Sequence, residues 1–308
     1  MTTWLVTHPA CGKHNPGENH PENSNRMLAI MVALESPSFQ DLIREEAPQA
    51  TMEQLERVHD PDYIRGVLDQ IPRVGRHHLD ADTIVSPESG EAALRAAGAV
   101  CHAVDGVMDG AAQRAFCLVR PPGHHAEHDH AMGFCLFNNI AVGAAHAAEA
   151  HNLERVVIVD FDVHHGNGTE SFVSGRSGLF YLSTHQHPLF PGTGIPEEPG
   201  PANIVNATLS DGDGSERFRD VFSEKILPKI DLFRPQLLML SAGFDAHRAD
   251  PLATLQLEEA DFAWATEELM ALARKHCGGR IVSVLEGGYN HSALARSVAT
   301  HIKALMMI

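Results

Sequence analysis

Arg155-Val-Val-Ile-Val-Asp160-Phe-Asp162-Val-His164-His165-Gly-Asn167-Gly168 is the stretch from which the fold is read. Its first half is a β-branched apolar run without polar alternation, the pattern of a strand buried on both faces. It stops at Asp160 and gives way to a glycine-bounded loop of carboxylates and imidazoles. The same grammar recurs along the chain. Ala115–Val119 leads into Arg120-Pro-Pro-Gly-His124-His125-Ala126. Leu179–Ser183 leads into Thr184-His185-Gln186-His187. Gln236–Ser241 leads into Ala242-Gly243-Phe244-Asp245, and Arg280–Leu285 into Glu286-Gly287-Gly288-Tyr289. Helical patterns lie between these runs. Ser86-Pro87-Glu88 reads as an N-cap with proline at the first helical position, opening a helix to about Met108. Asn139–Ala150 is alanine-rich, and Ser215–Phe233 carries Phe218, Val221, Phe222 and Ile226 on one face. Leu257–His276 and Ser292–Met306 complete the set. Alternation of this kind predicts an α/β fold: a mainly parallel central sheet with helices on both faces. Its ligands bind beyond the carboxyl ends of the strands. No repeat, low-complexity tract or linker divides the chain, so residues 1–308 are expected to form one catalytic domain.

Composition narrows the function. Lys and Arg number 23 against 40 Asp and Glu, a formal charge of −17, which argues against nucleic-acid binding by phosphate neutralisation. The five cysteines are odd in number and include no C-x-x-C pair, so neither a disulfide framework nor a cysteine zinc site is expected. The first residues lack the basic and apolar regions of a signal peptide, and no run of about 18 apolar residues occurs. The expectation is a cytoplasmic protein without membrane contact. Histidine stands out: there are 21, where uniform residue usage would give about 15. It is the near-neutral titrator and the commonest metal ligand.

The strand-end loops organise part of that surplus. In an extended segment residues i and i+2 point the same way, so Asp162 and His164 can reach one ion, though a polar loop has the same spacing. Asp245, at another strand end, is the natural third ligand. One histidine and two carboxylates leave a position open on the metal, the catalytic pattern. The adjacent His124 and His125 are acid–base candidates, each needing a partner for its second ring nitrogen. Asp160 and Asn167, which flank the metal motif, could supply one each. Tyr289, after two glycines, could donate to a developing oxyanion.

Taken in order, Pro121-Pro122-Gly123-His124-His125-Ala126, Gly133-Phe134-Cys135-x-Phe137-Asn138-Asn139, Asp160–Gly168, Pro191-Gly192-Thr193-Gly194, Ala242–Asp245 and Glu286–Tyr289 resemble the zinc-dependent histone deacetylase family of the arginase/deacetylase superfamily. His20-Pro21-Glu22 and Val58-His59-Asp60-Pro61-Asp62-Tyr63 extend the likeness over nearly the whole chain. Asn167, followed by Gly168-Thr169, is similar to the class II branch and its bacterial relatives. The resemblance implies one Zn2+ per chain on Asp162, His164 and Asp245, though Fe(II) suits the same ligands. It pairs His124 with Asp160 and His125 with Asn167, makes His125 the general base, and lets Tyr289 polarise the acyl carbonyl. It puts Gly133, Phe134, Phe190, Leu252 and Gly287 along a substrate tunnel and Arg26 at an acetate channel. It implies a structural K+ held by Asp160, Ser183 and the carbonyls of Asp162, His164 and Thr184.

The implied activity is removal of acetyl or other acyl groups from acyl-lysine side chains in peptides or proteins. The alternative is deacetylation of small acetylated polyamines or other N-acetyl-alkylamines. Members of that branch carry a glutamate after the Asp-Pro that follows the metal aspartate, where this chain has Leu252 after Asp250-Pro251. A binuclear manganese ureohydrolase is disfavoured, because Gly166 and His247 stand where such enzymes resemble one another in carrying further aspartates. Neither oligomeric state nor acyl-chain preference is legible.

Overall fold

The structure, a computed structural model, describes residues 2–196 and 201–307. The chain opens with β1 (Thr3–Thr7), α1 (Asn25–Ala33), β2 (Ile43–Glu46), α2 (Met52–Glu56) and α3 (Pro61–Asp69). A small antiparallel hairpin follows, β3 (His77–His78) with β4 (Ile84–Val85), then α4 (Ser89–Met108) and β5 (Arg114–Leu118). Next come α5 (Asn139–Ala150), β6 (Val156–Asp160), α6 (Asn167–Val173), β7 (Leu179–Gln186) and β8 (Ile204–Leu209). The chain finishes with α7 (Ser215–Val221), α8 (Leu227–Phe233), β9 (Leu237–Ala242), α9 (Glu259–Cys277), β10 (Ile281–Leu285) and α10 (His291–Met306).

Eight strands form one sheet in the order β2-β1-β5-β10-β9-β6-β7-β8, and every pairing in it is parallel. The five strand runs predicted from sequence are the contiguous block from β5 to β7. Successive side chains of β5 show the two covered faces. Cys117 reaches the Ala99 carbonyl of α4, while Phe116 packs edge-on to His301 of α10. α4 and α5 pack together on the first face, and α1, α9 and α10 on the second. Register brings the strand ends level: Asp160 lies beside both Ser183 and Ser241, and Leu285 beside Ala242. The carboxyl ends of β5, β10, β9 and β6 thus open onto one shared space.

Two helix predictions need correction. Ser86 does not cap α4. Its hydroxyl accepts the Asn15 N–H, its own N–H goes to the Ser89 hydroxyl, and the helix begins at Ser89. Ser215–Phe233 is not one regular helix: residues 222–226 form a π-turn between α7 and α8. Pro228 sits in the first turn of α8 and has no N–H to return to the preceding turn. The predicted apolar face survives, with Phe218, Val221, Phe222 and Ile226 all buried. β7 runs three residues past its predicted end at Ser183, to Gln186, because β8 pairs with it that far. The short β1, β2, β8 and the early helices are not in the sequence reading.

Candidate active site

Beyond the end of β6 the backbone turns so that one carboxylate organises the next residues. Asp160 Oδ1 accepts the Asp162 N–H (3.1 Å), and Asp162 Oδ1 accepts the His164 N–H (2.9 Å). Asp162 and His164 therefore face the same side, and Asp245, beyond β9, joins them by accepting the Val163 N–H (2.9 Å). His164 Nδ1 lies 3.1 Å from Asp162 Oδ1 and 3.2 Å from Asp245 Oδ2. The three ligand atoms lie within 4.8 Å of one another, and all three residues are buried. Gly243 and Gly287 wall in the carboxylates: a Cβ at either would overlap Asp162 or Asp245, and the Gly287 N–H donates to Asp162 Oδ2 (2.8 Å).

Among the described residues no Lys or Arg pairs with either carboxylate. Burial and the Asp162 charge push the Asp245 carboxyl up. Two buried like charges facing one imidazole nitrogen make a setting that a divalent cation would neutralise, with a position left open for substrate.

The two adjacent histidines have different partners. His124 Nδ1 is 3.0 Å from Asp160 Oδ2, which also accepts the Tyr181 hydroxyl (3.0 Å). Burial opposes charge on His124, but Asp160 and Asp162 outweigh it and raise its pKa to about 10. His125 Nδ1 meets Asn167 Oδ1 at 2.8 Å, so the ring proton sits on Nδ1 and Nε2 is left as acceptor. Burial and the neighbouring His124 and His164 hold the His125 pKa well below its ordinary value. The rings are 4.0 Å apart.

Tyr289 is held from two sides. Asp250 Oδ2 accepts its N–H (2.7 Å), and Oδ1 of the same carboxylate accepts the Leu252 N–H (3.0 Å). Behind the ring lies the Arg26 guanidinium, 5.0 Å from the centroid, bonded to the Glu286 and Gly288 carbonyls and to Glu22. Arg26 is thus fully buried beneath the Tyr289 loop. Glu286 has no role in the sequence reading. Its carboxyl accepts the Gly123 N–H (2.7 Å), the His124 N–H (3.2 Å) and the Ser241 hydroxyl (3.0 Å), tying the histidine loop to the sheet. The Glu-Gly-Gly-Tyr motif marks Glu286, but only the fold shows which loop it reaches.

A cavity of about 250 Å³ leads to these groups, lined by His125, Gly133, Phe134, His164, Phe190, Leu252 and Tyr289 together with Asp82 and Leu189. Phe134 stands edge-on to Tyr289 (5.9 Å), and Phe190 edge-on to His125 (5.1 Å). A Cβ on Gly133 would collide with the His125 ring. The Gly287 backbone is drawn under the carboxylates, where its N–H meets Asp162 and there is no room for a Cβ. Asp82 also borders the cavity and accepts the Gly133 N–H (3.2 Å). Near the expected potassium ligands, the Ser183 hydroxyl meets His185 Nδ1 (2.8 Å), and Thr184 Oγ1 is buried without a hydrogen-bond partner. His77 and His78 remain exposed on their hairpin.

Comparison with known proteins shows the family. The family described as "Histone deacetylase domain" matches residues 20–305. The chain is 40% identical over 316 residues to histone deacetylase 14, chloroplastic, of Arabidopsis thaliana, covering 95% of this chain and 74% of that one. It is 37% identical over 292 residues to a histone deacetylase-like amidohydrolase of Pseudomonas aeruginosa, covering 93% and 75%. The crystal structure of the HDA15 HD domain superposes with a TM-score of 0.93 at 34% identity, covering 99% of this chain and 88% of that one. An α/β fold with a carboxylate-and-histidine site at its strand ends defines the class. The chain belongs to the histone deacetylase family and is a hydrolase of that family.

Proposed function

We propose that the protein removes acetyl or other acyl groups from acyl-lysine side chains, with one zinc ion at the strand-end site. The observation that carries this reading is convergence: Tyr289, His125 and the ligand triad Asp162, His164 and Asp245 meet around one narrow, mostly apolar cavity. Zinc bound there would polarise the acyl carbonyl and lower the pKa of a water molecule. The chain's own groups do the rest. Phe134, Phe190 and Leu252 enclose the alkyl chain and exclude bulk water. The Tyr289 hydroxyl donates to the carbonyl oxygen as negative charge develops on it. His125, with Nε2 unprotonated, takes the proton of the attacking water and returns it to the departing amine. His124, fixed by Asp160, keeps positive charge beside that transfer. Leu252 offers no charge to a polyamine's second amine, which favours acyl-lysine over small polyamines. A structural K+ would be held by Asp160, Ser183 and the 162, 164 and 184 carbonyls. Five free, buried cysteines fit a reducing, cytoplasmic setting. No helix among the described residues is long and apolar enough to cross a membrane.

The test compares kcat/KM of the zinc-loaded enzyme on acetyl-lysine peptides, longer acyl-lysines and acetylated polyamines. Acyl-lysine turnover is expected to lead, and a clear polyamine preference would overturn the substrate reading. Tyr289→Phe should lower kcat by about 10²–10³-fold while zinc content is unchanged. Retained turnover would remove Tyr289 from the reaction.

A further inference from the structure

Among the described residues, one other cluster besides the strand-end triad brings three metal-ligand atoms within 4.8 Å: Asp105, His146 and His151. Asp105 is in the last turn of α4, and His146 and His151 lie near and at the C-terminal end of α5. His146 Nε2 and His151 Nε2 each approach Asp105 Oδ1 at 2.7 Å, with the two rings nearly perpendicular at 81°. The cluster is far from the proposed reaction. His151 precedes β6, whereas Asp162 and His164 follow its other end.

We propose that Asp105, His146 and His151 form a second, non-catalytic site for a borderline divalent transition metal such as Zn2+ or Ni2+. Four features carry this. The donor set of two imidazoles and one carboxylate is what such ions prefer. The geometry is close: zinc–ligand bonds of about 2.0–2.2 Å place tetrahedral donors roughly 3.3–3.6 Å apart, so each imidazole nitrogen, now 2.7 Å from Asp105 Oδ1, need move away by less than about 1 Å. His146 is buried, while Asp105 and His151 are partly exposed, which leaves room for a water ligand. Finally, the C-terminal turns of α4 and α5 meet here, and their carbonyl ends favour a cation.

Arg57 sets the affinity. Its guanidinium is 3.0 Å from His146 Nδ1 and donates to it, which holds the ring proton on Nε2. Metal on Nε2 moves that proton to Nδ1, so Arg57 must withdraw to its other partners, Glu53 and Glu149. The second site therefore opens at the expense of the Arg57–His146 contact. Removing that contact should strengthen it.

The experiment is calorimetric titration of Zn2+ into the enzyme already loaded with one zinc equivalent. Wild type should take up one further equivalent. Asp105→Asn, which keeps the side-chain shape, and His151→Ala should bind it at least tenfold more weakly. Both should retain the first equivalent and wild-type turnover, which shows that they are folded. Arg57→Met should bind the second equivalent more tightly than wild type. The proposal fails if wild type takes no further zinc up to millimolar concentration. It also fails if both ligand variants bind as wild type does, or if Arg57→Met weakens binding.

Discussion

At the carboxyl ends of the strands, His124 has a carboxylate oxygen 3.0 Å from Nδ1. Behind the sheet, His301 is equally buried but sits among Phe116, Phe161 and Phe244. Among the described residues only hydroxyls hydrogen-bond His301: Thr266 at 2.7 Å from Nδ1 and Ser283 at 3.0 Å from Nε2. The Thr266 hydroxyl gives its proton to the Phe262 carbonyl, so His301 Nδ1 donates and Nε2 accepts, and the ring is held neutral. Burial lowers the His301 pKa to about 3, whereas Asp160 and Asp162 overcome burial at His124 and raise its pKa to about 10. The two rings differ in company rather than in exposure. Carboxylates favour the charged form of one; hydroxyls make the other a hydrogen-bonded part of the core.

The largest way to disturb this contrast is Asp162→Asn, which removes a carboxylate shared by the His124 and His164 surroundings. Zinc binding at the strand ends and turnover should both be lost, measured by metal analysis and peptide assay. Asp160→Asn moves His124 toward the surroundings of His301 and leaves the three proposed ligands in place, because the amide oxygen can still accept the Asp162 N–H. Its kcat/KM should fall about 10–100-fold with zinc retained. The smallest effect is on stability. The native His301 pKa lies below its unfolded value of about 6.5, so its stabilisation is present above that value and lost as pH falls toward 3. Between pH 7 and pH 5 this one group should cost about 2 kcal/mol, and His301→Gln should flatten that part of a urea-denaturation series against pH.

Legibility followed position in the sheet. β5, β10, β9, β6 and β7 are covered on both faces and read as continuous apolar runs. Toward the edges the signal fades. β2 is Ile-Arg-Glu-Glu and mostly exposed, and β8 mixes Asn206 and Thr208 into a half-buried strand. The residues of the candidate site stood out because they follow the legible strands, and their mutual distances agree with the pairings expected for His124 and His125. The supporting groups were hidden for a physical reason. Glu286, Asp250 and Tyr181 act through backbone amides, and such contacts leave no spacing pattern in a sequence. Gly287 lies under the carboxylates for two reasons: its N–H meets Asp162 Oδ2, and a Cβ there would overlap Asp245.

The strand order carries a consequence for how the molecule comes into being. β10 is the last strand of the chain, yet it lies between β5 and β9. The strands before it fall into two blocks of consecutive sequence, β2-β1-β5 and β9-β6-β7-β8, which meet only through β10. All pairings are non-local, so each waits on the closure of a long crossover. During synthesis the two blocks can gather as they emerge and α4 can pack on α5 across them, but the sheet is not continuous until β10 docks. The residues just beyond β10 bring the Glu286 carboxyl to the histidine loop and the Gly287 amide to Asp162. Completing the sheet and finishing the pocket therefore fall to the same segment, and a nascent chain interrupted before residue 281 holds the ligand triad without the tyrosine that faces it.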